Sequence, residues 1–249
     1  MTRGEARAAL GIDGWHDDLR RAVSMARGFD LISRALVTSF VHAVVVPQGW
    51  LLPDDSAVIE SEEILRLAER FGDDFTLAAA HVLRGGILLR SPGSAAVEGT
   101  RMLARARELA ERVGVRAWDP FIDIEAAKAK ASVGDLDEAI ALLRRLVDEF
   151  FNTGDMAWPG VATAVLVETL LSRGGENDAS EAEIAIQRLA QMATEPGLVV
   201  YELPLLRLRA LVAKAHDDDT GYREFRDRYR DMAKSLGYEG HIAWAEAMP

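Results

Sequence analysis

Glycines that close apolar-periodic segments fall at Gly72, Gly114, Gly154, Gly197 and Gly237, at intervals of 42, 40, 43 and 40 residues. Gly134 and Gly174 form a second series with the same spacing. Glycine tolerates the left-handed backbone that ends a helix, so this spacing predicts one helix end per repeat unit. The residues echo the period: Leu67-Ala-Glu-Arg-Phe-Gly72 returns as Leu109-Ala-Glu-Arg-Val-Gly114. Periods of this size belong to solenoids and arrays, whose units bury their apolar faces only against their neighbours.

Between the glycines the apolar positions keep a helical period. Leu136, Ala139, Ile140, Leu143, Leu146, Val147 and Phe150 form the i, i+3, i+4, i+7 stripe of an amphipathic helix, and Tyr222, Phe225, Tyr229, Met232, Ala233 and Leu236 form another. Asp135 with Glu138 and Ser180 with Glu183 have capping-box spacing, and Pro120 and Pro159 suit first helical positions. Inner helices are predicted near 30–46, 75–90, 119–133, 159–173 and 200–215. Their outer partners are predicted near 57–71, 97–113, 135–151, 179–193 and 219–236. A leading helix near 15–27 and a final one near 238–247 cap the array. The β-branched run Leu198-Val-Val-Tyr201 is too short to read as a strand. The expectation is an all-α, right-handed α-solenoid of about five antiparallel helix pairs with a period of about 41 residues. It forms a single repeat domain over 1–249, with Pro47 to Asp55, Ser91 to Ser94 and Gly174 to Ser180 as repeat connections. Ending at Pro249, soon after a further helix start, fits either a natural cap or the edge of a longer protein.

Composition narrows the function. With 29 basic and 40 acidic side chains the formal net charge is −11, which disfavours nucleic acid as a partner. No cysteine is present, so disulfides, thiolate metal sites and cysteine nucleophiles are excluded and a reducing, cytoplasmic setting is expected. The longest apolar run, Val37 to Leu52, is interrupted by His42, Pro47, Gln48 and Gly49 and falls short of the ~20 residues of a membrane span. The N-terminus carries no apolar stretch of signal-peptide length, so secretion is not expected.

Gly134-Asp-Leu-Asp-Glu-Ala-Ile-Ala-Leu-Leu resembles the turn and second helix of a tetratricopeptide repeat, although the period exceeds the consensus of about 34 residues. The order of Leu31 to Val46 with His42, Ile64 to Gly72, and Phe75 with Leu83-Arg-Gly85 is similar to the C-terminal helical region of multidomain class III adenylate/guanylate cyclases. The closing segment from Phe225 to Met248 resembles the ends of actinobacterial members. In that family a cyclase and an ATPase precede the repeats. The resemblance therefore implies a regulatory module whose partner is a protein or peptide, a cyclase or ATPase domain being one option. One departure is Gly86, where the family has a large aromatic residue.

The resemblance brings no catalytic residue with it. The sequence has no Gly-Lys pair for a phosphate loop, no His-Glu-x-x-His, no Gly-x-Gly-x-x-Gly and no Gly-x-Ser-x-Gly. His16-Asp-Asp18 and His216-Asp-Asp-Asp219 read as solvated caps rather than metal sites, because ligands must converge from several elements. His42 and His81 sit on apolar faces and read as core histidines, and His241 belongs to the terminal cap. No metal and no cofactor are expected.

Trp118 and Trp158 stand just ahead of inner helices, with Phe75 as a third member. They serve either repeat packing or recognition, while Trp50 and Trp244 cover the ends. Arg101, Arg105, Arg107, Arg112, Arg144 and Arg145 form a solvated outer face. Inner-helix charges would line a groove, so the partner-binding candidates are Arg84, Trp118, Lys128, Trp158 and Arg207. A non-catalytic interaction module is the first expectation. A small-molecule-sensing helical domain, as in large bacterial transcriptional activators, is the alternative. A helical enzyme using His42 or His81 would need a buried carboxylate beside the ring.

Overall fold

The computed structural model describes residues 2–53, 56–90, 93–193 and 197–248. Parts of the connections predicted at Pro47 to Asp55 and Ser91 to Ser94, and the terminal Pro249, lie outside the described residues. Among the described residues the regular structure is entirely helical. The α-helices are α1 (Thr2–Ala9), α2 (Trp15–Ala26), α3 (Leu31–Phe40), α4 (Ser56–Phe71), α5 (Asp74–Leu88), α6 (Ser94–Arg112), α7 (Asp119–Ser132), α8 (Leu136–Thr153), α9 (Pro159–Arg173), α10 (Asp178–Met192), α11 (Val199–Ala215), α12 (Asp219–Leu236) and α13 (Glu239–Ala247). Each helix expected from periodicity is present close to its expected bounds. No helix among the described residues is long and apolar enough to cross a membrane.

Four local features differ from expectation. Helix α1 is additional: among its described positions Gly4 and Ala8 are buried, residues too small to write an apolar stripe. The segment after α3 does not continue as α-helix but widens into a π-helical turn, Val41–Val45, whose His42 carbonyl accepts from Arg90 Nη2 at 3.3 Å. The capping box at Asp135 and Glu138 is absent, because the Lys130 ammonium lies between both carboxylates. Ser180 falls inside the first turn of α10 rather than capping it. Caps form instead at Asp30, Asp73 and Asp218, which accept the N–H of Ser33, Thr76 and Gly221 at 3.0, 2.9 and 3.0 Å.

Gly72, Gly114, Gly134, Gly154, Gly174 and Gly237 each follow a helix with φ between 67° and 87°, as their placement predicts. Gly197 has φ 98° but stands two residues ahead of α11.

The chain divides into two compact units, one of Met1–Glu5 with Gly14–Glu125 and one of Ala6–Asp13 with Ala126–Pro249. In the first unit α5 is the central helix, packing on α3, α4 and α6. It is buried almost all round, through Thr76, Ala78, Ala79, Ala80, Val82, Leu83, Gly85, Gly86 and Ile87. A helix apolar on every side has to be enclosed, and these small residues let neighbours come close. Gly85 and Gly99 meet backbone to backbone: a Cβ on Gly99 would lie 2.9 Å from the Gly85 carbonyl oxygen. The Phe121 ring lies 3.1 Å from where a Cβ on Gly86 would be, so it fills the space an aromatic at 86 would take.

In the second unit α9 and α11 are the inner pair, flanked by α8, α10 and α12. The predicted stripe of α8 is buried from Ala139 to Phe150. Pro204 sits inside α11, where it removes its own N–H and crowds the Val200 carbonyl. Gly160 of α9 comes against that point, 3.5 Å from the Val200 oxygen to its would-be Cβ. The Tyr238 hydroxyl donates to the Ala8 carbonyl, tying the end of α1 to the start of α13.

Replacing Gly99 by valine is expected to lower unfolding stability by roughly 1–3 kcal/mol, the usual effect of overpacking. Urea denaturation checks this, with exposed Ala104→Val on the same helix as a control that loses only β-branched helix propensity. Equal losses for the two variants would refute the Gly85–Gly99 contact.

Candidate functional site

Of the partner-binding candidates, Arg84, Trp118, Trp158 and Arg207 make contacts within the fold. Arg84 on α5 is turned onto α4, donating to the Val58 carbonyl at 3.2 Å and Ser61 Oγ at 3.1 Å, and pairing with Glu62 at 2.6 Å. Trp118 is 6% exposed and packs on Phe75 with ring centroids 5.7 Å apart. Trp158 is equally buried, at the N-terminus of α9, where it and Ala157 donate backbone N–H groups to Asp155 Oδ1. Lys128 is half-buried on α7. Arg84 and Trp118 belong to the first unit, and Lys128, Trp158 and Arg207 to the second.

Arg207 is the candidate set in a polar constellation. Its guanidinium pairs with Glu168 of α9 and lies 5.3 Å over the ring of Trp244 on α13. Behind it, the Tyr229 hydroxyl is 2.8 Å from His241 Nδ1, and His241 meets Trp244 edge-on at 4.9 Å. Trp244 therefore takes part in this cluster, beyond its expected role of covering an end. Burial raises the Tyr229 phenol well above the ordinary tyrosine range and raises Tyr238 likewise.

Tyr201 was legible and passed over. It stands 43 residues after Trp158, in the register of Phe75, Trp118 and Trp158. The structure buries it at the start of α11, with its hydroxyl donating to the Met156 carbonyl at 2.8 Å. Burial, helped by nearby Asp155, pushes its phenol up to about 12. The recurring aromatics thus fasten one inner helix to the turn that opens another.

A cleft of about 480 Å³ lies between α10, α11 and α12. Ile186, Ala190, Val212, Ala213 and Phe225 line its apolar surface, with Glu183, Gln187, Arg209, His216 and Asp218 as its polar groups. His216 Nε2 is 3.1 Å from Glu183 Oε1. Asp218, as the N-cap of α12, accepts from Gly221 N. Arg209 is exposed and engages no other group among the described residues. Sequence reasoning treated His216 to Asp219 as a cap, which Asp218 is, and missed the cleft because its walls come from three helices.

The remaining polar motifs serve local structure. Asp18 receives Arg3, and His16 Nε2 accepts from Arg20 Nε at 3.0 Å. His42 is buried on the π-helical turn. His81 is lowered by burial and then by Arg105, and of the carboxylates acting on it Glu69 is exposed and Glu98 half-buried. Among the described residues no three His, Asp or Glu side chains converge as a metal site would.

No protein-family model, curated protein or solved structure matches this chain. Function therefore has to be read from its own surfaces and charges.

The buried phenols give a pH prediction. The folded protein keeps Tyr201, Tyr229 and Tyr238 protonated where an unfolded chain releases its phenolic protons, above about pH 10. Stability is fully present below that pH and is lost as pH rises toward 12. Absorbance at 295 nm and far-UV circular dichroism, followed together, should show these phenols ionising only as helix is lost. Their ionisation near pH 10 in a still-helical protein would refute the burial.

Proposed function

We propose that this chain is a non-catalytic helical-repeat module that regulates by binding another protein. The observation that carries this reading is an apolar ridge in the first unit. Met25 at the end of α2, Phe29 in the following turn, and Ile32 and Leu36 one turn apart on α3 are 53%, 59%, 38% and 38% exposed. Large apolar side chains gathered in one exposed stretch mark interaction surfaces, and the one-turn spacing of Ile32 and Leu36 fits a helix face of the partner. The repeat character is supported by ion pairs. Arg112–Asp74, Arg144–Glu181, Arg188–Asp148, Arg207–Glu168 and Arg173–Asp137 join residues 36–40 positions apart, close to the glycine interval. Of these, Arg144–Glu181 and Arg188–Asp148 join α8 to α10 and Arg207–Glu168 joins α11 to α9, and pairing of alternate helices suits successive units of a right-handed solenoid, in which equivalent helices are neighbours.

On the resemblance to class III cyclases, the partner is a cyclase or ATPase domain of the same signalling architecture, in a cytoplasmic setting. The chain alone, lacking the phosphate-loop and metal-holding motifs, is expected to form no cyclic AMP from ATP and Mg²⁺. Detectable formation by the pure chain would overturn the non-catalytic reading.

The binding role is tested with a double variant, Ile32→Glu with Leu36→Glu, beside the unaltered chain, as baits against cyclase and ATPase domains. Both positions are partly exposed, at 38% each, so helix content should hold while partner capture falls at least tenfold, with the melting temperature measured alongside to separate lost binding from lost folding. A partner held equally by both baits, or none held by either, would count against the ridge.

A second reading, a small-molecule sensor, is favoured by the cleft between α10, α11 and α12. Its size lies within the ~300–1,000 Å³ of ordinary ligand pockets.

A further inference from the structure

The cleft of the second unit has a polarity that its size alone does not convey. Glu183 opens the cleft on α10, and His216 and Asp218 stand at the junction of α11 and α12, so two carboxylates gather at one end. Arg209 lies seven residues before His216 on α11, a rise of about 10 Å along a helix. Phe225 lies seven residues beyond Asp218 on α12, which by the same rise puts it at the Arg209 end. Between the two ends the lining is Ile186, Val212 and Ala213.

The charges at the two ends differ in availability. Arg207, two residues before Arg209, is held by Glu168 and stacked on Trp244. Arg144, Arg173 and Arg188 of the same unit each hold a carboxylate. Arg209 is exposed beside the cleft and holds nothing among the described residues. A guanidinium on an apolar wall is a receptor for a carboxylate, which it grips through two parallel N–H donors. At the opposite end Glu183 and Asp218 favour a cation, and Glu183 also keeps His216 as a neighbour at 3.1 Å.

We infer that this cleft binds a short apolar peptide with free termini, its C-terminal carboxylate on Arg209 and its N-terminal ammonium at Glu183 and Asp218. Three extended residues span about 10 Å, the separation of the two ends. Their aliphatic side chains bury against Ile186, Val212, Ala213 and Phe225. A simple fatty acid fits less well, because its tail would end among carboxylates. The inference rests on the sensor reading and names its ligand class.

The test is calorimetric titration of the intact chain with tri-leucine. Binding is expected, weakened at least about tenfold by N-acetylation and again by C-terminal amidation, the scale of one lost charge-assisted hydrogen bond. Arg209→Ala should bind the acid and the amide equally while keeping its melting temperature, since the side chain is exposed. Glu183→Gln should reduce the loss caused by N-acetylation. Decanoate binding as tightly as tri-leucine, indifference to the blocking groups, or an unaltered acid preference in Arg209→Ala would each overturn the assignment. A thermal-shift screen with a metabolite library separates the two levels. Stabilisation by a metabolite with none by tri-leucine sinks the peptide assignment and leaves the sensor standing. Silence from both sinks both.

Discussion

Helices α5 and α11 have apolar or small residues on nearly every side, and such a helix is stable in water only when neighbours cover it all round. That requirement organises each unit. In the first, α3, α4 and α6 surround α5, and in the second α9, α10 and α12 surround α11. Close cover depends on small residues where backbones meet. Gly85 against Gly99 brings α5 and α6 together, and Gly160 meets the carbonyl crowded by Pro204. Proline inside a helix is ordinarily costly. In α11 it coincides with a neighbour that has no side chain to collide with it.

Electrostatics follows from the same arrangement. Residues about one glycine interval apart come within reach at the far ends of consecutive antiparallel helices, as in Arg112–Asp74 of α6 and α5, and across alternate helices, as in Arg144–Glu181 and Arg188–Asp148 of α8 and α10. Exposed pairs of this kind contribute about 0–1 kcal/mol each, so they do not account for the stability. Their effect is on register: a helix displaced along its neighbour by a turn would leave its arginines without carboxylates. Arg173 goes further, holding Asp178, which is itself buried, and Asp137 on α8 together. The Asp178 carboxylate is held below its usual range by Arg173 and the Gly175 N–H. That contribution is present above the ordinary aspartate range and lost as acid protonates the group.

Most of the helices were legible because their signals are local. The stripe from Ala139 to Phe150, and glycines whose backbone conformation marks a helix end, are written within a few residues of where they act. The side-chain roles were less legible because they depend on the neighbouring helix. Arg84 and Arg207 read as groove cations until α4 supplies Glu62 and α9 supplies Glu168. Lys130 undoes a capping box that Asp135 and Glu138 spell out in sequence. Helix α1 escaped notice for the opposite reason: Gly4 and Ala8 pack through the absence of side-chain bulk. Tyr201 is legible through its 43-residue spacing from Trp158, which marks it as a member of the aromatic series, but it stands inside its helix rather than just ahead of it as Trp118 and Trp158 do.

The titratable groups also bear on what the chain does. General acid–base work needs a group poised near the operating pH and within reach of a substrate. Here Tyr201, Tyr229 and Tyr238 are pushed upward, away from neutrality, and His81 is pushed downward by burial. Each shift favours the uncharged form of a group packed inside the fold. Two of the inner cations expected to meet a ligand, Arg84 and Arg207, are taken up by Glu62 and Glu168 of the chain itself. The exposed surface includes apolar side chains at Phe29, Ile32 and Leu36, and the guanidinium of Arg209 beside an apolar cleft. Surfaces of that kind recognise partners by burial and by charge pairing, and this is the physical content of reading the chain as a binding module.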